Sequence, residues 1–106
     1  MADYLTVSTA TETREQAVAL AQSAVRARLA AGAQIVGPVT STFWHAGEFG
    51  TSEEYQLLLK TSGRRYPQLE AHLIEHHPWD NPELCATEIV RGSRVYLEWI
   101  DRSTAD

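Results

Sequence analysis

The strongest constraint on the fold is a pair of long β-prone runs in the middle of the chain. Gln34-Ile35-Val36-Gly37-Pro38-Val39-Thr40-Ser41-Thr42-Phe43-Trp44-His45 is dense in β-branched and aromatic residues, which suit a pleated, half-buried surface. Ala46-Gly47-Glu48-Phe49-Gly50 supplies a turn, and Glu54-Tyr55-Gln56-Leu57-Leu58-Leu59-Lys60-Thr61 returns as a second run. The pattern predicts a long β-hairpin. Gly37-Pro38 interrupts its first strand, and because proline has no N–H to give to a ladder, a bulge or bend is expected there.

The flanking segments supply what would pack on this hairpin. Tyr4–Thr9 reads as a first strand. Thr13, with Gln16 three residues on, forms a capping box opening a helix whose face carries Val18, Ala21, Val25 and Leu29, with Gly32 as its left-handed C-cap. Tyr66–His77, with Pro67 in its first turn and Tyr66, Leu69 and Leu73 on one side, predicts a second helix stopped by Pro78. Leu84–Val90 is a fourth strand, and Gly92-Ser93 opens a short helix with Tyr96, Trp99 and Ile100 at helical spacing. Asp101–Asp106 reads as a frayed tail. The order β-α-β-β-α-β plus a short C-terminal helix predicts an α+β fold, the ferredoxin-like split βαβ, with helices on one face of an antiparallel sheet. The other face lacks cover, and self-association is the simplest way to bury it.

At 106 residues, with no low-complexity segment or linker, the chain is expected to form one domain over residues 1–106. A domain this small buries a modest share of its surface, which also favours association. Its formal charge of −5 argues against nucleic acid and anionic lipid as partners, since those are gathered by clustered Lys and Arg. With no secretory leader pattern and no apolar run near the roughly 20 residues that span a bilayer, a cytoplasmic location without membrane insertion is expected. A single cysteine, Cys85, can form neither an internal disulfide nor a thiolate cluster, so a metal site would depend on His and carboxylates.

Three stretches bring a family into view: Arg28-Leu29-Ala30-Ala31-Gly32, Glu54-Tyr55-Gln56-Leu57-Leu58-Leu59-Lys60-Thr61 and His77-Pro78-Trp79-Asp80-Asn81-Pro82-Glu83-Leu84. With Pro38-Val39-Thr40-Ser41 and Tyr96-Leu97-Glu98-Trp99-Ile100, they resemble the CutA family from Tyr4 to Ile100. The resemblance implies a very stable, thermostable homotrimer with long hairpins packing across protomers and clefts between them. It also implies a role in tolerance of divalent cations, notably copper, and carries no established catalytic activity. The chain departs from the family pattern at Gly32, where relatives have Cys, at His45-Ala46-Gly47-Glu48, where they have Trp before a Gly-Lys turn, and at Trp79, where they have Tyr. Loss of the thiol weakens a case for Cu(I), and Glu48 makes an anion a poorer fit.

The positions matching the family motifs give the expected site. His77 and Glu83 offer imidazole and carboxylate, a set acceptable to Zn²⁺ or Cu²⁺, and would be the metal residues. Glu54, Lys60 and Trp79 would line a ligand cleft, and Phe43 and Trp44 an interface. Glu54 and Lys60 lie on one strand face roughly 20 Å apart and so cannot pair directly. The same charges equally suit salt bridges that fix a trimer, with His77 bonding the last carbonyls of its helix. His72 and His76, at i and i+4, could face one metal, although a polar helix face explains them as well. Cys85 reads as a small buried hydrophobe, Arg64-Arg65 as solvated or facing an acidic partner, and Trp99 as core. No obligatory cofactor is expected. Copper or zinc bound weakly between protomers is the first functional reading; a trimeric scaffold holding a small anion or a partner protein is the second. An enzyme comes last, for want of a nucleophile, phosphate-loop or HExxH motif.

Overall fold

A computed structural model describes residues 2–106; Met1, at which the expected domain begins, lies outside them. The elements run β1 (Tyr4–Thr11), α1 (Arg14–Arg26), β2 (Gly32–His45), β3 (Glu48–Ser62), a 3-10 turn (Gly63–Arg65), α2 (Tyr66–His76), β4 (Leu84–Glu88) and α3 (Arg94–Ser103). All pairings are antiparallel, in the order β2-β3-β1-β4. The fold is thus α+β, a four-stranded antiparallel sheet with three helices.

The hairpin is longer than its sequence signal. β3 starts at Glu48, six residues before the expected Glu54, and pairs His45 with Glu48 across a two-residue turn. Ala46 at φ 51° and Gly47 at φ 81° are both left-handed, the conformation that lets so tight a turn follow the strand twist. The bulge lies where expected. Pairing passes from Val36–Gln56 to Val39–Glu54, so Gly37 and Pro38 together oppose Tyr55 and no ladder donor is asked of Pro38.

The capping box forms as expected, Thr13 Oγ1 accepting from Gln16 N–H at 3.1 Å and Gln16 Oε1 accepting from Thr13 N–H at 3.2 Å. Two details of α1 differ. Ala17, Leu20, Ala21 and Ala24 face the sheet, while Val25 is exposed, because small side chains let the helix approach closely. The helix also ends early. Arg28, at φ 61°, takes the left-handed position, with Leu29 N–H donating to the Ala24 carbonyl and Arg28 N–H to that of Val25, both at 3.0 Å. Gly32 instead opens β2, where an added Cβ would stand 3.0 Å from the tip of the Trp99 ring. It is small for packing, not for capping.

Alternation along β1 and β3 sends Val7, Leu57 and Leu59 to the helix side, where they join Leu20, Ala24, Leu69 and Leu73 in the core. Burying each large aliphatic side chain contributes about 1.5–3 kcal/mol. The third helix breaks the expectation that all helices share one face. Gly32 and Ser62 point away from the core, and α3 packs over them: Trp99 meets Gly32, Ser62 Oγ lies 3.0 Å from Thr104 Oγ1, and Tyr4 donates to Asp101 at 2.6 Å. That bond, with the nearby Asp101 charge, raises the Tyr4 pKa. Nor is the C-terminus frayed through its length. Thr104 is fully buried, Arg64 donates to the carbonyls of Thr104 and Asp101, and Arg65 pairs with Asp106 at 2.8 Å. Arg65 is thus held against its own chain's tail rather than standing solvated, while Arg64 is exposed, as expected, and reaches the tail's carbonyls from the surface. β4, expected to reach Val90, ends at Glu88.

Candidate functional site

The site is set by the unequal lengths of β1 and β3. Pairing with β1 stops at Thr11–Tyr55, so Glu48–Glu54 is held only by β2 and forms a two-stranded arm beyond the body of the sheet. Bare arms of this kind leave aromatic groups in water: Trp44 is 74% and Phe49 65% exposed, packed edge to face at 5.7 Å. The loop after α2 runs beside the arm, and a cleft of about 930 Å³ opens between them.

Phe43, Trp44 and His45 of β2 and Glu53 and Glu54 of β3 line it on the arm side, Trp44 and Glu53 from one face of the arm and Phe43, His45 and Glu54 from the other. Trp79, Asp80 and Glu83 line it on the loop side, and Glu12 closes the end where β1 stops. Five carboxylates thus share the cleft, with no Lys or Arg among the described residues that line it. Of the residues expected at a site, Glu54, Glu83 and Trp79 come together here, and so do Phe43 and Trp44. Lys60 does not: it lies opposite Thr6 and Gly32 in the body of the sheet. Glu12 and Glu53 escaped the sequence reading, since a carboxylate before a capping box and another in a strand carry no spacing signal.

His77 stands behind the loop rather than in the cleft wall. Its side chain is buried, with Nε2 2.8 Å from the Ala10 carbonyl and Nδ1 accepting from Trp79 N–H at 3.0 Å. Those partners fix the neutral ring with the proton on Nε2, because a carbonyl only accepts and an amide only donates. Burial lowers the His77 pKa, and the bond to Ala10 opposes that shift in part. Both nitrogens are spent on fastening the loop to β1. A metal at His77 would have to break one of these bonds, so the geometry assigns His77 to holding Trp79, whose ring centroid is 5.1 Å from its own.

The second histidine pair is also engaged. His72 Nε2 lies 2.7 Å from Ser23 Oγ across the α1–α2 contact, and His76 Nδ1 lies 2.8 Å from the His72 carbonyl. The rings stack at 4.2 Å, and the His72 pKa is lowered first by burial and then by His76. Among the described residues no three His, Cys, Asp or Glu side chains converge as a metal cage. Cys85, expected in the interior, is exposed on the edge strand β4, with Sγ 3.3 Å from Ser8 Oγ. Among the described residues, no helix is long and apolar enough to cross a membrane.

Comparison with known proteins agrees over most of the chain. The family described as CutA1 divalent ion tolerance protein matches residues 5–103. A divalent-cation tolerance protein CutA of Thermus thermophilus is 37% identical over 90 residues, 85% of this chain and 87% of that protein. A chloroplastic CutA 1 of Oryza sativa is 34% identical over 93 residues, and there the chain spans 52% of its relative's length. The solved structure of CutA1 from Oryza sativa superposes with a TM-score of 0.94 at 31% identity, covering 99% of this chain and 96% of that one.

Proposed function

This chain belongs to the CutA1 divalent ion tolerance family, and we propose that it acts without catalysis as a homotrimer that contacts divalent cations weakly in clefts between protomers. The observation that carries the reading is the acidic cleft beside a bare aromatic arm. Carboxylates suit an exchangeable divalent cation, and with no cage of three donors among the described residues the contact is loose in a single chain. Glu54 and Glu83 are its residues, with copper or zinc the cations to test; His77 acts through the loop it fastens. Phe43 and Trp44, exposed together with Phe49, are the groups a second protomer would cover. The strand order 2-3-1-4 with two helices on one face supports a split βαβ, ferredoxin-like description. The alternative, a scaffold holding a small anion, gains nothing from a cleft without Lys or Arg.

Light scattering combined with calorimetric titration of Cu²⁺ and Zn²⁺ tests the proposal. A particle of three chains, saturable binding, and a loss of several-fold in affinity in Glu83→Gln are expected. A monomer at micromolar concentration removes the assembly, and no heat at millimolar metal removes the cation contact.

A further inference from the structure

Away from the acidic cleft, α1 and α2 meet along a groove of about 380 Å³, lined by Ala19, Gln22, Ser23, Arg26, Ala27 and His72. The serine is its unusual member. A hydroxyl in a helix or at its end commonly turns back to the carbonyl four residues earlier, as Thr104 does with Ile100 at 2.8 Å. Ser23 Oγ instead crosses to the other helix and lies 2.7 Å from His72 Nε2. Ala19 and Ala27, one turn before and one after, are too small to close over it. The imidazole is held in place as well, stacked at 4.2 Å on His76, whose own Nδ1 lies 2.8 Å from the His72 carbonyl. We propose that Ser23 is a covalent modification site, a nucleophile that accepts an acyl group from an activated anionic donor of the acyl phosphate class while His72 takes its proton.

The chemistry asks for a neutral base, an open hydroxyl and a place for the leaving group. In the tautomer with its proton on Nδ1, His72 Nε2 accepts the Ser23 proton. The charged and titratable groups beside the ring are Arg26 from α1 and Glu75 and His76 from its own helix. Burial first, then His76, lower the His72 pKa against an opposing pull from Glu75, so the neutral ring predominates at pH 7. Arg26, three residues after Ser23, is exposed, and among the described residues no carboxylate pairs with it. A guanidinium in that state suits the phosphate of the donor, with the Gln22 amide beside it. Ser23 Oγ bonds to the acyl carbon, and the bond from that carbon to the phosphate oxygen breaks. The serine proton passes to His72 and from there to the departing phosphate, leaving an O-acyl serine and inorganic phosphate.

This modification needs neither the acidic cleft nor a particular number of subunits, and a single acylation asks for no turnover. The test uses the full chain with Cys85→Ala, which removes the exposed thiol, treated with acetyl phosphate or with neutral p-nitrophenyl acetate. Peptide mass spectrometry locates the acetyl group. Ser23 should be acetylated about a hundredfold faster than any other serine, the lower end of what general-base assistance supplies. His72→Gln keeps a hydrogen-bonding side chain but no base, and should slow both donors about a hundredfold with its melt intact. Arg26→Gln should slow acetyl phosphate about fivefold or more and leave p-nitrophenyl acetate unchanged. With His72 as base, the rate rises with pH until the ring has lost its proton and is level from pH 6.5 upward. The inference is overturned if acetyl groups gather on Lys60 or the amino terminus with none on Ser23, or if a folded His72→Gln reacts like the parent. A rate that keeps climbing about tenfold per pH unit above 6.5 assigns the reaction to hydroxide and overturns it too. An acetyl phosphate rate unchanged in Arg26→Gln removes the anionic donor.

Discussion

The two ends of the β2–β3 hairpin share one ladder and differ in almost everything else. In the inner half, Leu57 and Leu59 are fully buried under α1 and α2, and Ile35 packs against the same core. In the outer half, beyond the bulge, Trp44 and Phe49 are mostly in water although they are larger and more apolar. The β2–β3 ladder runs through both halves, but only in the inner half does β3 also pair with β1, so the sheet is wider there. Cover differs as well: helices lie over the inner half, whereas the outer half has only the 79–83 loop beside it. A hairpin alone is marginal in water, so the inner half anchors the arm and the arm is free to serve a surface.

The sharpest way to break this comparison is to truncate matched residues on each side of the bulge. Leu57→Ala should cost about 2–5 kcal/mol in urea unfolding, through lost burial and a cavity. Trp44→Ala should leave the fold of the single chain within about 0.5 kcal/mol and act on association, read by light scattering. Equal losses in both variants would mean that the arm belongs to the same cooperative core.

Two smaller changes sharpen it. Thr9 is fully buried on the helix side and its Oγ1 finds no hydrogen-bond partner, so Thr9→Val should stabilise by about 1 kcal/mol in thermal unfolding. At the arm's tip, Gly47→Ala adds a Cβ to a left-handed residue and should cost about 1 kcal/mol or less, confined to fraying of the arm and seen in local amide exchange.

Acid should test the cleft's other wall. His77 and His72 both sit below the ordinary histidine value of 6.5, chiefly through burial, so the unfolded chain binds more protons than the folded one as pH falls. Stability is therefore highest above pH 6.5 and falls as pH drops from there through the lower folded-state values. Protonating His77 removes the acceptor for Trp79 N–H, so its share of the loss should be accompanied by a change in tryptophan fluorescence. A shallower profile in His77→Gln than in the parent would locate its share of the effect; identical slopes would assign the effect to His72.

Much of the body of the fold was legible because its signals are local. The capping box at Thr13 and Gln16, the bulge at Gly37-Pro38 and the aliphatic spacing of Leu69 and Leu73 each act within a few residues, and each lies where those residues demand. The errors cluster where a partner distant in sequence decided the outcome. Gly32 looked like a helix cap and is instead the floor under Trp99, while Arg28 makes the cap against the usual steric preference because Leu29 is drawn into the core. Half of the site was visible in the same way: Glu54, Trp79 and Glu83 stand in recognisable motifs, whereas Glu12 and Glu53 join them only because β1 stops short of the arm.

Sequence by itself determined the order and type of the elements, the family and the excess of acid, since these follow from composition, short-range periodicity and motif order. Tertiary structure alone decided that α3 crosses to the second face, that Arg64 and Arg65 hold the C-terminus, and that His77 faces a carbonyl and an amide instead of a ligand. The physical reason is common to all three. A side chain's chemistry is written in its own identity, but which of its polar atoms remain free depends on groups brought beside it from tens of residues away.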